Sequence, residues 1–188
     1  MTTVYLVRHA ESAPDRHVPE ADWLLSAAGY QQAAALVPVL AELGVTALYS
    51  SPYTRAVLTL QPYADHAGLR IISHPGLRER KLATGFVDDW QAASKAVWDD
   101  HTFAHPGGES GMAVRARFTN AVVEIAAAHP SGRVALASHG NAIALYLGTL
   151  EPAAWGHAEW LAMTNPDVFE VTLGPTPTWR RIPLPSTP

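Results

Sequence analysis

Val4-Tyr5-Leu6-Val7-Arg8-His9-Ala10-Glu11-Ser12 is a short apolar run that stops abruptly at an arginine and a histidine. Residues 3 to 7 are β-branched, aromatic or aliphatic without clean alternation, the pattern of a strand covered on both faces inside a parallel sheet. Arg8 and His9 then emerge at its carboxyl edge, where ligands bind in open α/β sheets. A guanidinium beside an imidazole at such an edge suits an anion site that holds a nucleophile or a base.

The residues downstream repeat this punctuation. Ala13 to Trp23 is polar and interrupted by proline, which predicts a loop able to fold over a site as a lid. Ser26 is set to cap a helix whose apolar positions Ala33, Leu36, Val37, Leu40 and Leu43 keep helical spacing up to Gly44, with a kink expected at Pro38. Val45 to Tyr49 reads as a second buried strand. After the polar turn Ser50-Ser51-Pro52-Tyr53-Thr54-Arg55, a helix carries Val57, Leu58, Leu60 and Ala64. Arg55 opposes the macrodipole at that helix start and is better placed if it faces an anion.

Leu69 to Ser73 is strand-like, and Pro75 to Lys81 packs four charges, Arg78, Glu79, Arg80 and Lys81, into a short stretch. Residues 82 to 107 contain Trp90, Trp98 and Phe103 but no strand pattern, so a helical excursion over the site is expected there. Gly107-Gly108-Glu109-Ser110 leads into a helix with Val114, Phe118, Ala121, Val122 and Ile125 on one face and Ser110 as its cap. Arg133 to Ala137 is a further buried strand, ended by Ser138-His139-Gly140-Asn141 as the first is ended by Arg8-His9. A helix from Ala142 to Leu150, an edge hairpin of Phe169 to Leu173 with Thr178 to Ile182, and a frayed tail over Pro183 to Pro188 complete the reading. The alternation of strands and helices predicts a three-layer α/β protein, a largely parallel central sheet flanked by helices, in one domain over residues 1–188.

Composition narrows the function. A 188-residue chain that is 48% hydrophobic with a net charge of -4 has neither a disordered acidic tail nor a basic nucleic-acid surface. Without cysteine it has no thiolate nucleophile and no thiolate metal site. Met1-Thr2-Thr3 runs straight into the first strand, and no apolar stretch is long enough to span a bilayer, so a cytoplasmic protein is the default expectation. His66, His74, His101, His105, His129 and His157 share no helical face or ligand spacing, and no metal site is expected among them. Trp90, Trp98, Trp155 and Trp160 are read as core or interface before substrate pocket.

Alternating βα units bring Arg8-His9, Arg55, Glu79 and His139-Gly140 to one sheet edge. Two guanidiniums and two imidazoles suit a dianionic phosphoryl group. One neutral imidazole can attack phosphorus, the other, protonated, can stabilise the equatorial oxygens, and a carboxyl raised by burial can protonate the leaving alkoxide.

Arg8-His9-Ala10-Glu11-Ser12, Ser50-Ser51-Pro52-Tyr53-Thr54-Arg55-Ala56, Leu77-Arg78-Glu79-Arg80, Gly107-Gly108-Glu109-Ser110 and Ser138-His139-Gly140-Asn141 resemble, in order, the motifs of the histidine phosphatase superfamily, the phosphoglycerate mutase-like group. The resemblance implies that His9 becomes a phosphohistidine, that Arg8, Arg55, His139 and Gly140 line the phosphate pocket, and that Glu79 donates the proton. It also implies a metal-independent mechanism. A small phosphorylated substrate without a cofactor is expected, composition and the lack of an apolar span argue against nucleic acid or membrane as partner, and the sequence leaves the oligomeric state open. Ala10 stands where the family usually has glycine, and Asp15 where the mutases carry an asparagine that binds phosphate. Arg16 and His17 lie in the same loop. A phosphomonoesterase is the leading expectation, with a phosphoglycerate-type mutase and a catalytically silent phospho-ligand binding protein as rivals.

Overall fold

The computed structural model describes residues 1–84 and 87–185. Its sheet has six strands in the order β3-β2-β4-β1-β5-β6, with β1 at Thr3–Arg8, β2 at Ala47–Ser50, β3 at Ile71–Ser73, β4 at Arg133–Ser138, β5 at Asp167–Thr172 and β6 at Thr178–Arg181. Neighbours from β3 to β1 run parallel, while β5 and β6 add an antiparallel edge hairpin. The hairpin agrees with the sequence reading; β2 and β3 each begin two residues later than read, at Ala47 and Ile71.

Both faces of β1 are covered, which explains its unbroken apolar run. Val4 and Leu6 join a cluster with Val114, Phe118, Val122 and Ile125 of α4 (Gly111–Ala128), together with Ile143 and Leu147 of α5 (Gly140–Leu150). Tyr5 and Val7 join Leu36 and Leu40 of α1 (Ala27–Glu42), with Leu60 and Tyr63 of α2 (Thr54–Ala67). Alternate residues of one strand therefore feed two cores, and the layers are helix, sheet, helix.

The caps act as the residue types require. Ser26 Oγ accepts from Gly29 N and Ser110 Oγ from Ala113 N. Gly44 and Gly68, at φ 65° and 66°, leave their helices through the left-handed region. α1 continues as one helix through Pro38, where the ring removes only a single amide from the ladder. Within the excursion, α3 forms at Trp90–Asp99 and Trp98 stacks on Trp160 of α6 (His157–Leu161), ring centroids 5.8 Å apart. Residues 85 and 86 of that excursion lie outside the described residues, as do 186–188 of the tail. Leu184 of the tail read as frayed packs against the α1 and α2 side of the core.

Candidate active site

The register of the two central strands assembles the site. β1 and β4 pair in parallel with Arg8 opposite Ser138, and His9 N donates to Ser138 O at 3.0 Å. The residues that follow, His9 and His139, must then sit side by side; their ring centroids are 5.2 Å apart. Arg55 reaches them from the first turn of α2, and its Nε donates to His9 Nε2 at 3.2 Å. All three are buried, Arg55 at 3% and His139 at 0% exposure.

Hydrogen bonding determines the state of His9. Nδ1 lies 2.7 Å from Ala10 O, and a carbonyl only accepts, so Nδ1 carries the hydrogen. Nε2 keeps its lone pair, in agreement with the Arg55 Nε–H that points at it. Burial first, and Arg55 second, push the His9 pKa down to about 3, so the ring is neutral at physiological pH. A neutral imidazole with its lone pair beside a guanidinium can attack phosphorus.

His139 differs. Its Nε2 shares a hydrogen bond of 2.8 Å with Ser51 Oγ, and its buried Nδ1 has no partner among the described residues. Burial, then His9 and Arg55, hold its pKa well below the ordinary value. In the ligand-free protein His139 is therefore a neutral imidazole, because the basic groups His9, Arg55, Arg117 and Arg8 surround a desolvated ring; the protonated imidazole expected from the sequence belongs to the phosphoryl-bound transition state. A dianion in contact with Nδ1 supplies the opposite charge that protonation needs.

Arg8 is half-buried, with Nη1 donating to Met163 O at 2.8 Å and Nε buried without a partner among the described residues. Its guanidinium lies over Gly140, where an added Cβ would stand 3.2 Å from Arg8 Cζ and 3.0 Å from Trp160 Nε1. Glycine at 140 lets the arginine approach the start of α5.

Glu79 sits against that same helix start. Oε1 accepts from Arg80 N at 2.7 Å and Ala142 N at 3.2 Å, while Oε2 lies 3.4 Å from Asn141 N. Burial raises its pKa and the amides partly offset the rise, leaving a net upward direction that suits proton donation. The turn that carries Glu79 is held by Arg117 of α4, which donates to the carbonyls of Gly76, Arg78 and Glu79 and pairs with both Glu109 carboxylate oxygens.

The expected residues His9, Arg8, Arg55, Glu79, His139 and Gly140 thus converge. Four further residues join them that spacing did not single out. Thr59 Oγ1 accepts from Ala10 N at 2.9 Å and donates to Arg55 O at 2.7 Å; its place one turn after Arg55 was the available signal. Asn165 Nδ2 donates to His9 O at 2.7 Å, Ser51 meets His139, and Glu20 meets Arg55. Ala10 is fully buried with Leu25 and Ala33, so its methyl packs inward beneath the loop. Asp15 Oδ1 accepts from His17 N at 2.8 Å and caps its own exposed loop; among the described residues neither Arg16 nor His17 makes a side-chain hydrogen bond to the site.

Two adjacent strand ends that carry Arg8-His9 and His139, with Arg55 from the first turn of α2 and Glu79 beside them, form the kind of constellation that phosphoryl transfer uses. The histidine phosphatase superfamily (branch 1) matches residues 4–179, and the chain belongs to that superfamily. It is 29% identical over 163 residues to the probable phosphoglycerate mutase GpmB of Enterobacter sp. (strain 638), covering 80% of this chain and 75% of the relative. A relative of the same name from Yersinia pestis (strain Pestoides F) is 30% identical over 162 residues, with the same coverage of 80% and 75%. Among solved structures, a mycobacterial glucosyl-3-phosphoglycerate phosphatase in complex with VO3 superposes with a TM-score of 0.77 at 29% identity, covering 96% of both chains. The Entamoeba histolytica phosphoserine phosphatase, at 19% identity, TM-score 0.76 and 95% of both chains, shares the fold.

Proposed function

We propose that the protein is a metal-independent phosphatase that hydrolyses a small phosphate monoester through a phosphohistidine on His9. The observation that carries this reading is the His9 tautomer: Nδ1 is tied to Ala10 O, leaving the Nε2 lone pair beside Arg55 in a buried pocket. Arg8, Arg55 and Gly140 bind the phosphoryl oxygens, and the free Nδ1 of His139 meets the charge that grows on them. Glu79 gives its proton to the leaving alkoxide and takes one from the water that later attacks the phosphoenzyme. The P–Nε2 bond forms as the P–O ester bond breaks; water then breaks P–N and releases phosphate.

Residues 1–188 act in this reading as one histidine phosphatase domain in the cytoplasm, with neither nucleic acid nor membrane as partner. Among the described residues no helix is long and apolar enough to cross a membrane. The glucosyl-3-phosphoglycerate phosphatase likeness, which spans 96% of both chains, supports hydrolysis. The names of the curated relatives support a second reading, a phosphoglycerate-type mutase that passes the phosphoryl group to a second hydroxyl.

A panel of phosphate monoesters, assayed with EDTA present, separates these readings. Phosphate release should exceed formation of 2-phosphoglycerate from 3-phosphoglycerate, with or without a bisphosphoglycerate primer. Rapid quench with a labelled substrate should trap phosphate in an acid-labile, base-stable linkage. Faster isomer formation than phosphate release from any panel member makes the protein a mutase, and ligand binding with neither product makes it a silent binder.

A further inference from the structure

In this structure Arg55 already has a ligand. Nη1 donates to Glu20 O at 2.7 Å and Nη2 to Glu20 Oε1 at 2.8 Å, while Nε holds His9. One residue thus meets both terminal nitrogens, the pair with which a guanidinium grips a phosphoryl group. The ring planes of Trp23 and Tyr53 flank the same guanidinium, with centroids 5.7 Å and 5.0 Å from Cζ. Arg55 is 3% exposed but the Glu20 side chain is 51% exposed, so the accessible side of the arginine is the side that Glu20 occupies.

Glu20 is presented by a compact loop. Ser12 bridges Leu25 at the loop base, Ala13 N donates to Leu24 O, and inside the loop Trp23 Nε1 donates to Asp15 O and Val18 O. A short 3-10 turn at Glu20–Asp22 then places carbonyl and carboxylate of the same residue on Arg55.

We propose that Glu20 is an internal competitor for the phosphoryl pocket, the anion that Arg55 holds until a substrate's phosphoryl group takes its place. The proposal rests on Arg55 being a phosphate ligand. A carboxylate and a phosphoryl group cannot share the Nη edge, so binding requires Glu20 to leave. The apparent affinity of any anion is then its intrinsic affinity reduced by the fraction of molecules in which Glu20 is away. That fraction is the same for every ligand. Removing the carboxylate therefore tightens all of them by one factor, about threefold to tenfold for a half-exposed pair. A Glu20 that merely repelled ligands from the rim would act more strongly on the more highly charged ones.

Calorimetric titration of the whole protein with inorganic phosphate and with singly charged p-nitrophenyl sulfate distinguishes the two. Glu20→Gln and Glu20→Ala, both at an exposed position, should bind both anions more tightly by the same factor. Unchanged or weaker binding overturns the competitor, as does a gain for phosphate alone. Arg55→Gln separates the levels: phosphate affinity equal to the unaltered protein overturns the phosphate-pocket reading itself, whereas lost affinity there with unchanged Glu20 variants removes only the competitor. Phosphate binding to none of these proteins overturns both.

Discussion

The ends of β1 and β4 are alike in backbone and unlike in chemistry. Parallel pairing sets Arg8 opposite Ser138 and hands each strand a histidine at the next position. His9 ties Nδ1 to its neighbour's carbonyl and turns Nε2 to Arg55, whereas His139 ties Nε2 to Ser51 and its Nδ1 has no partner among the described residues. The backbones diverge as well. His9 O accepts from Asn165, while His139 O accepts from Ile143 N and starts α5. Topology places the two residues side by side, and the hydrogen bonds beyond the sheet set the rings apart: His9 Nε2 faces Arg55, while His139 Nδ1 has no partner among the described residues, and in the proposed mechanism the first attacks and the second stabilises.

The strongest test of that difference is to remove each ring. His9→Gln should lower turnover by at least about 10³-fold and leave no phosphoenzyme in a rapid quench. His139→Gln should still form the phosphoenzyme, with turnover lower by about 10²-fold to 10³-fold. Equal trapping in the two variants would erase the distinction. Glu79 leans on the β4 side through Asn141 N and Ala142 N. Glu79→Gln should slow alkyl phosphates by about 10²-fold to 10⁴-fold and p-nitrophenyl phosphate much less, because a good leaving group needs no proton. A common loss for both esters, measured where phosphorylation limits the rate, would give Glu79 a different role.

Proton linkage gives a smaller effect. Folding depresses the pKa of His9 to about 3 from an ordinary 6.5, so between those values the unfolded chain binds the additional proton. Stability from this group is present above about 6.5 and is lost as pH falls toward about 3, with a slope of up to ~1.4 kcal/mol per pH unit. Urea titrations from pH 4.5 to 7 should show a shallower pH dependence in His9→Gln than in the unaltered protein. Parallel curves would mean that His9 is protonated in the fold. The smallest effect is expected at Asp15. Its carboxylate is committed to His17 N, so Asp15→Asn should change phosphate affinity less than about twofold. A larger gain would place that charge in the pocket.

Much of this was legible in the residues because it depends on periodicity and strand-end position. The two-faced burial of β1, the caps Ser26 and Ser110, the apolar faces of α1 and α4, and the meeting of Arg8, His9, Arg55, Glu79 and His139 follow from local pattern plus the rule that α/β sites gather at carboxyl edges. α6 did not, since five residues show no helical period. Asn165 and Arg117 did not either. Asn165 lies 156 residues from the carbonyl it holds, and Arg117 lies 41 to 38 residues from the turn it supports, distances that no local pattern encodes. Glu20 was read within a lid, but an acidic residue on Arg55, an arginine expected to face an anion, runs against the charge pattern expected there. The ligand-free state of His139 was not legible for a related reason: sequence shows which groups share a sheet edge, and desolvation appears only once they are packed.

The bridge between Ser12 and Leu25 closes the base of the loop, whose Glu20 and Trp23 reach Arg55. Everything between those two residues begins and ends at a single clasp, with Gly29 of α1 packed so closely on Glu11 O that a Cβ there would lie 2.0 Å from it. Insertions and deletions inside the clasp should therefore leave the register of β1 with β4, which is set outside it, unchanged. A changed loop on the same clasp would alter what is admitted to the site without rebuilding the strand ends that carry the two histidines.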